Sequence, residues 1–215
     1  DVDNTVVHLA PPFTMDSRVE WIPPGETGKN RLTVRLNRAG GSYGQESTST
    51  TQPDGTAQFQ DLYPGRYRVD VFRQAPGYYL KSILLGSQDV TGQDIDLAPN
   101  SPPLKVIYKS NDARVRGQVE NGAGAVVIVI APDEAHSVDG DSPRVGACDI
   151  EGRFSVEGLR PGSYLVLATY ISGNVNTGAI AEMVYVRGLN RQAKTIQLEE
   201  GETAAVNMKI TPWPE

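Results

Sequence analysis

Apolar and polar residues alternate with a period of two along most of this chain, the signature of strands with one face buried. In the first half this pattern predicts strands at Arg18–Ile22, Arg31–Leu36, Ile83–Leu85 and Ile95–Leu97. In the second half it predicts Arg114–Val119, Val126–Ile130, Met183–Val186, Thr195–Leu198 and Ala204–Ile210. The nearest approach to a helical period, Gly178–Val186, is short and β-branched at its end. Clusters of Gly, Pro, Asn and Asp separate these segments at regular spacing, so the class is all-β and the architecture a sandwich.

One stretch occurs twice. Gly55, Leu62, Pro64, Gly65, Tyr67 and Val69 recur, at one constant offset, as Gly152, Leu159, Pro161, Gly162, Tyr164 and Val166. Each copy reads as a β-hairpin whose Pro–Gly pair forms a type II turn, with positive φ at the glycine. Tyr67, Val69 and Val71 then share one face, as do Tyr164 and Val166, and that face should meet a core. Fainter echoes join Val6–Leu9, Leu104–Tyr108 and Val206–Ile210, and Ser17–Glu20 resembles Gly117–Glu120. The repeat of about a hundred residues matches the size of one small domain. It divides the chain into units at 1–108 and 109–215, joined near Tyr108 to Ala113 and set end to end. Pro99 to Pro103 precedes the strand that leads into the boundary.

The composition is that of a soluble globular protein, 39% hydrophobic and 21% charged. The net charge of −6 is spread along the chain with no run of Lys and Arg to track phosphates, which argues against nucleic acid. The longest apolar run, Ala125–Pro132, is far too short for a membrane span. The chain opens at Asp1 without an initiator Met or a targeting segment, and reads as part of a longer product. Cys148, alone, cannot form an internal disulfide and reads as an inert, half-buried side chain.

The pattern running from Asp149 through Gly152, Phe154, Leu159, Pro161, Gly162 and Tyr164 to Val166 resembles the carboxypeptidase regulatory-like domain, a transthyretin-like β-sandwich. The first copy departs from it: Ala57 stands where Phe154 stands, and Phe59 takes the apolar place. The resemblance implies two tandem transthyretin-like or Ig-like β-sandwich domains, as in exported bacterial proteins. In carboxypeptidases such a domain accompanies the catalytic one and holds no zinc ligands, which implies a non-enzymatic role. The same repeat also resembles adhesin modules of Gram-positive surface proteins, some of which lock themselves with a Lys–Asn bond. Lys29, Lys105 and Lys194 read here as ordinary solvated lysines.

The residues themselves offer little reactive chemistry. His8 and His136 fall in different units, with no Gly-x-Ser-x-Gly elbow beside either, so no hydrolytic triad and no zinc site is expected. Asp133, Glu134, Asp139 and Asp141 could offer oxygen to calcium, but their spacing is not that of a calcium loop. Asp139, Asp141, Asp149 and Glu151 could also supply a glycosidase pair, although loops solvate carboxylates in any case. Gly40-Gly41 and Gly122–Gly124 read as turns, since neither carries the glycine pattern or following helix of a phosphate cradle.

Aromatic rings are the remaining candidates, because exposed Trp and Tyr can stack on sugars. Trp21, Tyr63, Tyr78 and Tyr79 are the candidate stacking residues; Tyr63 sits in the turn, and one of the adjacent Tyr78 and Tyr79 must point outward. The reading is a non-catalytic structural or interaction module, without cofactor, of a larger secreted or cell-surface bacterial protein. It would act as spacer or display scaffold, with adjacent domains, a surface protein or a polysaccharide as partners. The alternatives are a carbohydrate-binding module of an exported polysaccharide-acting protein and an accessory domain of a peptidase.

Overall fold

The computed structural model describes residues 10–24, 31–39, 46–72, 76–132, 143–171, 180 and 184–212. In the first half the strands are β1 Phe13–Ile22, β2 Thr33–Arg38, β3 Glu46–Thr50, β4 Thr56–Leu62, β5 Gly65–Phe72, β6 Tyr78–Leu85, β7 Gln88–Asp89, β8 Asp94–Leu97 and β9 Leu104–Ser110. In the second they are β10 Ala113–Glu120, β11 Val126–Ile130, β12 Arg144–Ala147, β13 Arg153–Leu159, β14 Gly162–Thr169, β15 Lys194–Leu198, β16 Thr203–Ala205 and β17 Met208–Lys209. The fold is all-β. One sheet of the first half runs β4-β1-β9-β6-β7 and faces another ordered β3-β2-β5-β8. In the second half β13-β10-β16, with β17 also on β10, faces β12-β11-β14-β15.

Two separate cores result. Met15, Val19 and Trp21 of β1 point inward at alternate positions and meet Leu36, Phe59, Val69 and Leu104 from both sheets of the first half. Val115, Val119, Val127, Phe154, Val166 and Leu198 build the second. The strand expected to close the first unit at Tyr108 continues as β9 to Ser110, and the chain turns at Asn111, whose φ is 73°.

The repeated motif is not a hairpin. β4 pairs with β1 while β5 pairs with β2 and β8, so the Pro–Gly corner carries the chain from one sheet to the other, and β13 and β14 do the same. Strand, turn and strand read alike in sequence for a hairpin and for an inter-sheet arch; the long-range partners decide. Nor is the corner a type II turn of the expected kind: positive φ occurs earlier, at Asp61 (54°) and its counterpart Gly158 (75°), Gly65 has none, and Gly162, at 150°, is far from the value of about +80° that such a turn needs. Both lie where the pairing with β1 or β10 slips by one residue, a β-bulge that bends the strand end toward the other sheet. A Cβ at Gly65 would sit 3.2 Å from the flexible end of the Arg38 side chain, and one at Gly162 would meet nothing within 4 Å, so neither glycine is fixed by a close approach. The repeated tyrosine braces the arch: Tyr67 donates its hydroxyl proton to the Tyr63 carbonyl at 2.7 Å, and Tyr164 to the Arg160 carbonyl at 3.0 Å. We expect Tyr67→Phe and Tyr164→Phe each to cost about 0.5–1.5 kcal/mol, the net worth of one hydrogen bond, read as a lower urea midpoint at unchanged slope.

Among the described residues the halves differ most beyond the corner. Between β5 and β8 the first inserts β6 and β7, and β6 covers the free side of β9. At the corresponding place the second has no strand among the described residues. Residues 184–186, expected to end a strand, are helical and lead to a 3-10 turn at Leu189–Arg191. Ile180, Val184 and Leu189 lie against Ile128 and Leu167 on the outer face of the sheet, forming a third apolar cluster. The Tyr185 hydroxyl donates to the carbonyls of Ala131 and Pro132 and pins this cover down. Apolar residues on both faces of β11 and β14 are what a sheet covered on both sides requires.

Candidate functional site

The junction between the halves is built from polar contacts. Lys109 Nζ lies 2.7 Å from Glu200 Oε2, and this bond raises the lysine above its ordinary range. The Asn111 amide donates to the Gly77 carbonyl at 3.1 Å, and Gly201, at φ 73°, sits so close that a Cβ would reach 2.5 Å from the Asn111 side chain. Asp112, buried at the start of β10, accepts from the Gly158 amide at 2.7 Å and pairs with Arg114 at 3.2 Å. The corner of the second half is thereby tied into the junction.

Three of the four candidate rings also lie toward this junction. Trp21 is buried, in edge-to-face contact with half-buried Tyr78 at 5.0 Å between centroids and tilted against Tyr108 at the same distance. Tyr79 is buried, and burial, then the nearby Glu200, raises its phenol. These rings close the end of the first core, with Trp21 and Tyr79 buried in it and Tyr78 half-buried. Tyr63 is different: 47% exposed, it stands at the opposite end of the first half beside a recess of about 410 Å³. Arg38, Glu46, Ser47, Asp61 and Tyr67 line that recess with it. The sequence singled out Tyr63 but not its neighbours, because Arg38 and Glu46 come from β2 and β3, and only the sheet pairing brings them to the corner.

His8, His136 and the acidic stretch Asp133 to Asp141 lie outside the described residues. Among the described residues no three His, Cys, Asp or Glu side chains converge as metal ligands. Of the lysines considered for a covalent lock, Lys105 pairs with Glu20 at 3.2 Å, Lys194 is exposed, and Lys29 lies outside the described residues. Cys148 is buried, and burial pushes its thiol up, as expected of an unreactive side chain.

Asp149 and Asp54 hold the two Asx-type turns that precede the repeated corners. Asp149 accepts from the amides of Arg153 at 2.8 Å and Glu151 at 3.0 Å, and Asp54 from the amide and hydroxyl of Thr56 at 2.9 and 2.6 Å. These bonds, to Arg153 first in one case and to the Thr56 side chain first in the other, hold both carboxyls below the ordinary range. A lowered folded value means stability present above the unfolded value and lost as pH falls through the folded one. We expect the urea midpoint to fall below about pH 4, and Asp149→Asn to flatten that acid limb, measured across a pH series.

No family model matches the chain. A segment of 79 residues is 34% identical to Colossin-A of Dictyostelium discoideum, covering 33% of this chain and 1% of that protein. Among solved structures, the minor pilin GBS52 of Streptococcus agalactiae superposes with a TM-score of 0.37 at 12% identity, over 94% of this chain and 98% of the pilin. BcpA, the major pilin subunit of Bacillus cereus, gives 0.29 at 8%, over 92% and 98%. The Bacillus anthracis TIE protein gives 0.33 at 11%, over 93% of this chain but 33% of that one. The all-β assignment rests on the sheets described above.

Proposed function

We propose that this chain is a pair of non-catalytic β-sandwich units, of the carboxypeptidase regulatory-like kind and divided near 108/109, that spaces or displays neighbouring parts of a secreted or cell-surface protein. The observation that carries the reading is the junction: β9 runs into β10 through only Asn111 and Asp112, Lys109–Glu200 bridges the two halves, and Asn111–Gly77 and Asp112–Gly158 anchor the two linker residues to the first and the second half respectively. A linker this short and this bonded transmits a fixed separation, which is what a spacer must do. An extracellular or surface location and partners among adjacent domains or subunits belong to the same proposal. No helix among the described residues is long and apolar enough to cross a membrane.

The test is a distance measurement. With Cys148→Ser to remove the free thiol, spin labels at Asn100, in the turn after β8, and at Ile150, an exposed turn residue of the second half, report the span across both units. A rigid spacer gives one narrow distance distribution, broadened when Lys109→Ala and Glu200→Ala are combined. A broad distribution in the parent chain would overturn the reading.

A further inference from the structure

The two corners are copies, so each serves as a control for the other. Arg160 stands at the place of Tyr63, and its carbonyl accepts the same tyrosine hydroxyl. The arch therefore needs that backbone and not the ring. Gly158 stands at the place of Asp61, where positive φ suits glycine, and Ala131 at the place of Arg38. Three side chains that the architecture does not require thus meet at the one corner that the junction leaves free.

We infer that the Tyr63 recess is a binding site for a neutral pyranose. The corner's backbone is fixed on both sides of the turn, by the Tyr67 hydroxyl on the Tyr63 carbonyl and by Arg38 Nη2 donating to the Pro64 carbonyl at 3.3 Å. The half-exposed ring therefore projects from a rigid support. A sugar ring has an apolar C–H face and a polar edge. Tyr63 offers an aromatic plane to the first, while the Asp61 carboxylate and Ser47 hydroxyl offer acceptors, and Arg38 donors, to the second. The volume of about 410 Å³ falls within the range of small-ligand sites and accommodates one or two sugar rings. Glu46 is ion-paired with Arg35 at 3.0 Å, so Arg35 and Arg38 balance Glu46 and Asp61 and a neutral sugar meets no net charge there. Trp21, Tyr78 and Tyr79 take no part.

The test is an amide-resolved NMR titration of the whole chain with methyl β-glucoside and methyl β-galactoside. Saturable shifts are expected at Arg38 and across Asp61–Gly65 with at least one neutral glycoside, with a dissociation constant on the order of millimolar. Tyr63→Arg installs the residue that the second corner already carries, so the fold is retained and the shifts are expected to vanish; Arg160→Ala leaves them unchanged. No saturable shift with any neutral glycoside, shifts elsewhere, or shifts that persist in Tyr63→Arg would each overturn the site. None of these results bears on the spacer reading, which the distance measurement tests separately.

Discussion

Gly117→Ala is expected to unfold the second core while leaving the first in place. Gly117 lies in β10 against the chain between β16 and β17, and a Cβ built there would sit 1.9 Å from the Val206 carbonyl oxygen and 2.6 Å from its carbon. The obstruction is backbone, already committed by the Val206 amide donating to the Arg116 carbonyl at 2.8 Å, so no side chain can swing away. The corresponding residue of the first half is Ser17, which is buried and donates its hydroxyl proton to the Ala57 carbonyl, because β9 passes β1 there without the break that separates β16 from β17. The fold therefore tolerates a side chain at this position in general and forbids one here. Overpacking against fixed backbone belongs at the severe end of single substitutions, about 3 kcal/mol or more. Hydrogen exchange read by mass spectrometry should show protection lost across 113–206 and kept across 13–108. Equal loss in both halves would mean that the cores fold as one cooperative unit, against the division proposed at 108/109.

What the sequence made legible follows from which interactions are local. The sequence pattern located β2, β8, β10 and β15 within two residues of their observed bounds and the C-terminal half of β1, because one buried face imposes alternation directly, and it located β11 as a continuous apolar run. The repeat around Leu62 and Leu159 was legible as well, but its meaning was not. Tyr67 and Tyr164 were read as core-facing strand residues, which they are, while the bond each makes back across the corner depends on the sheets diverging. The recess around Tyr63 was half legible, its ring in one segment and its polar lining in two others. The cover described at 180 and 184–191 was missed because Met183–Val186 is β-branched at its end, and intrinsic preference yields where an apolar sheet face has to be covered. A signal did exist. Val126–Ile130 and Leu165–Ala168 are apolar at successive positions, and a strand of a two-layer sandwich has no use for apolar residues on its outer face.

The same contrast sets the second large effect. In the first half the outer face of the sheet is polar: Arg35, Asn37, Arg68 and Asp70 occupy the outward positions of β2 and β5, with Asn37 donating to Asp70. Their counterparts in β11 and β14 are Ile128, Ile130, Leu165 and Leu167. Leu167→Asp thus places in the second half the residue that the first half carries half-buried on its polar outer face, yet there it lies beneath Val184 and Leu189, at 2% exposure. A carboxylate confined there without a partner should cost about 3–5 kcal/mol, or be relieved by release of the helical cover. Release should appear as proteolytic cleavage and lost amide protection across 184–191, while the pairing of β11 with β14 persists. Adding Ile128→Arg recreates the first half's cross-strand pair, since Ile128 is the register partner of Leu167 as Arg35 is of Asp70. Because the cover confines both charges beneath apolar side chains, the double variant should recover only part of the loss. Full recovery with the cover still protected would show that the apolar pair is not what holds it, and that the Tyr185 bonds to Ala131 and Pro132 are enough.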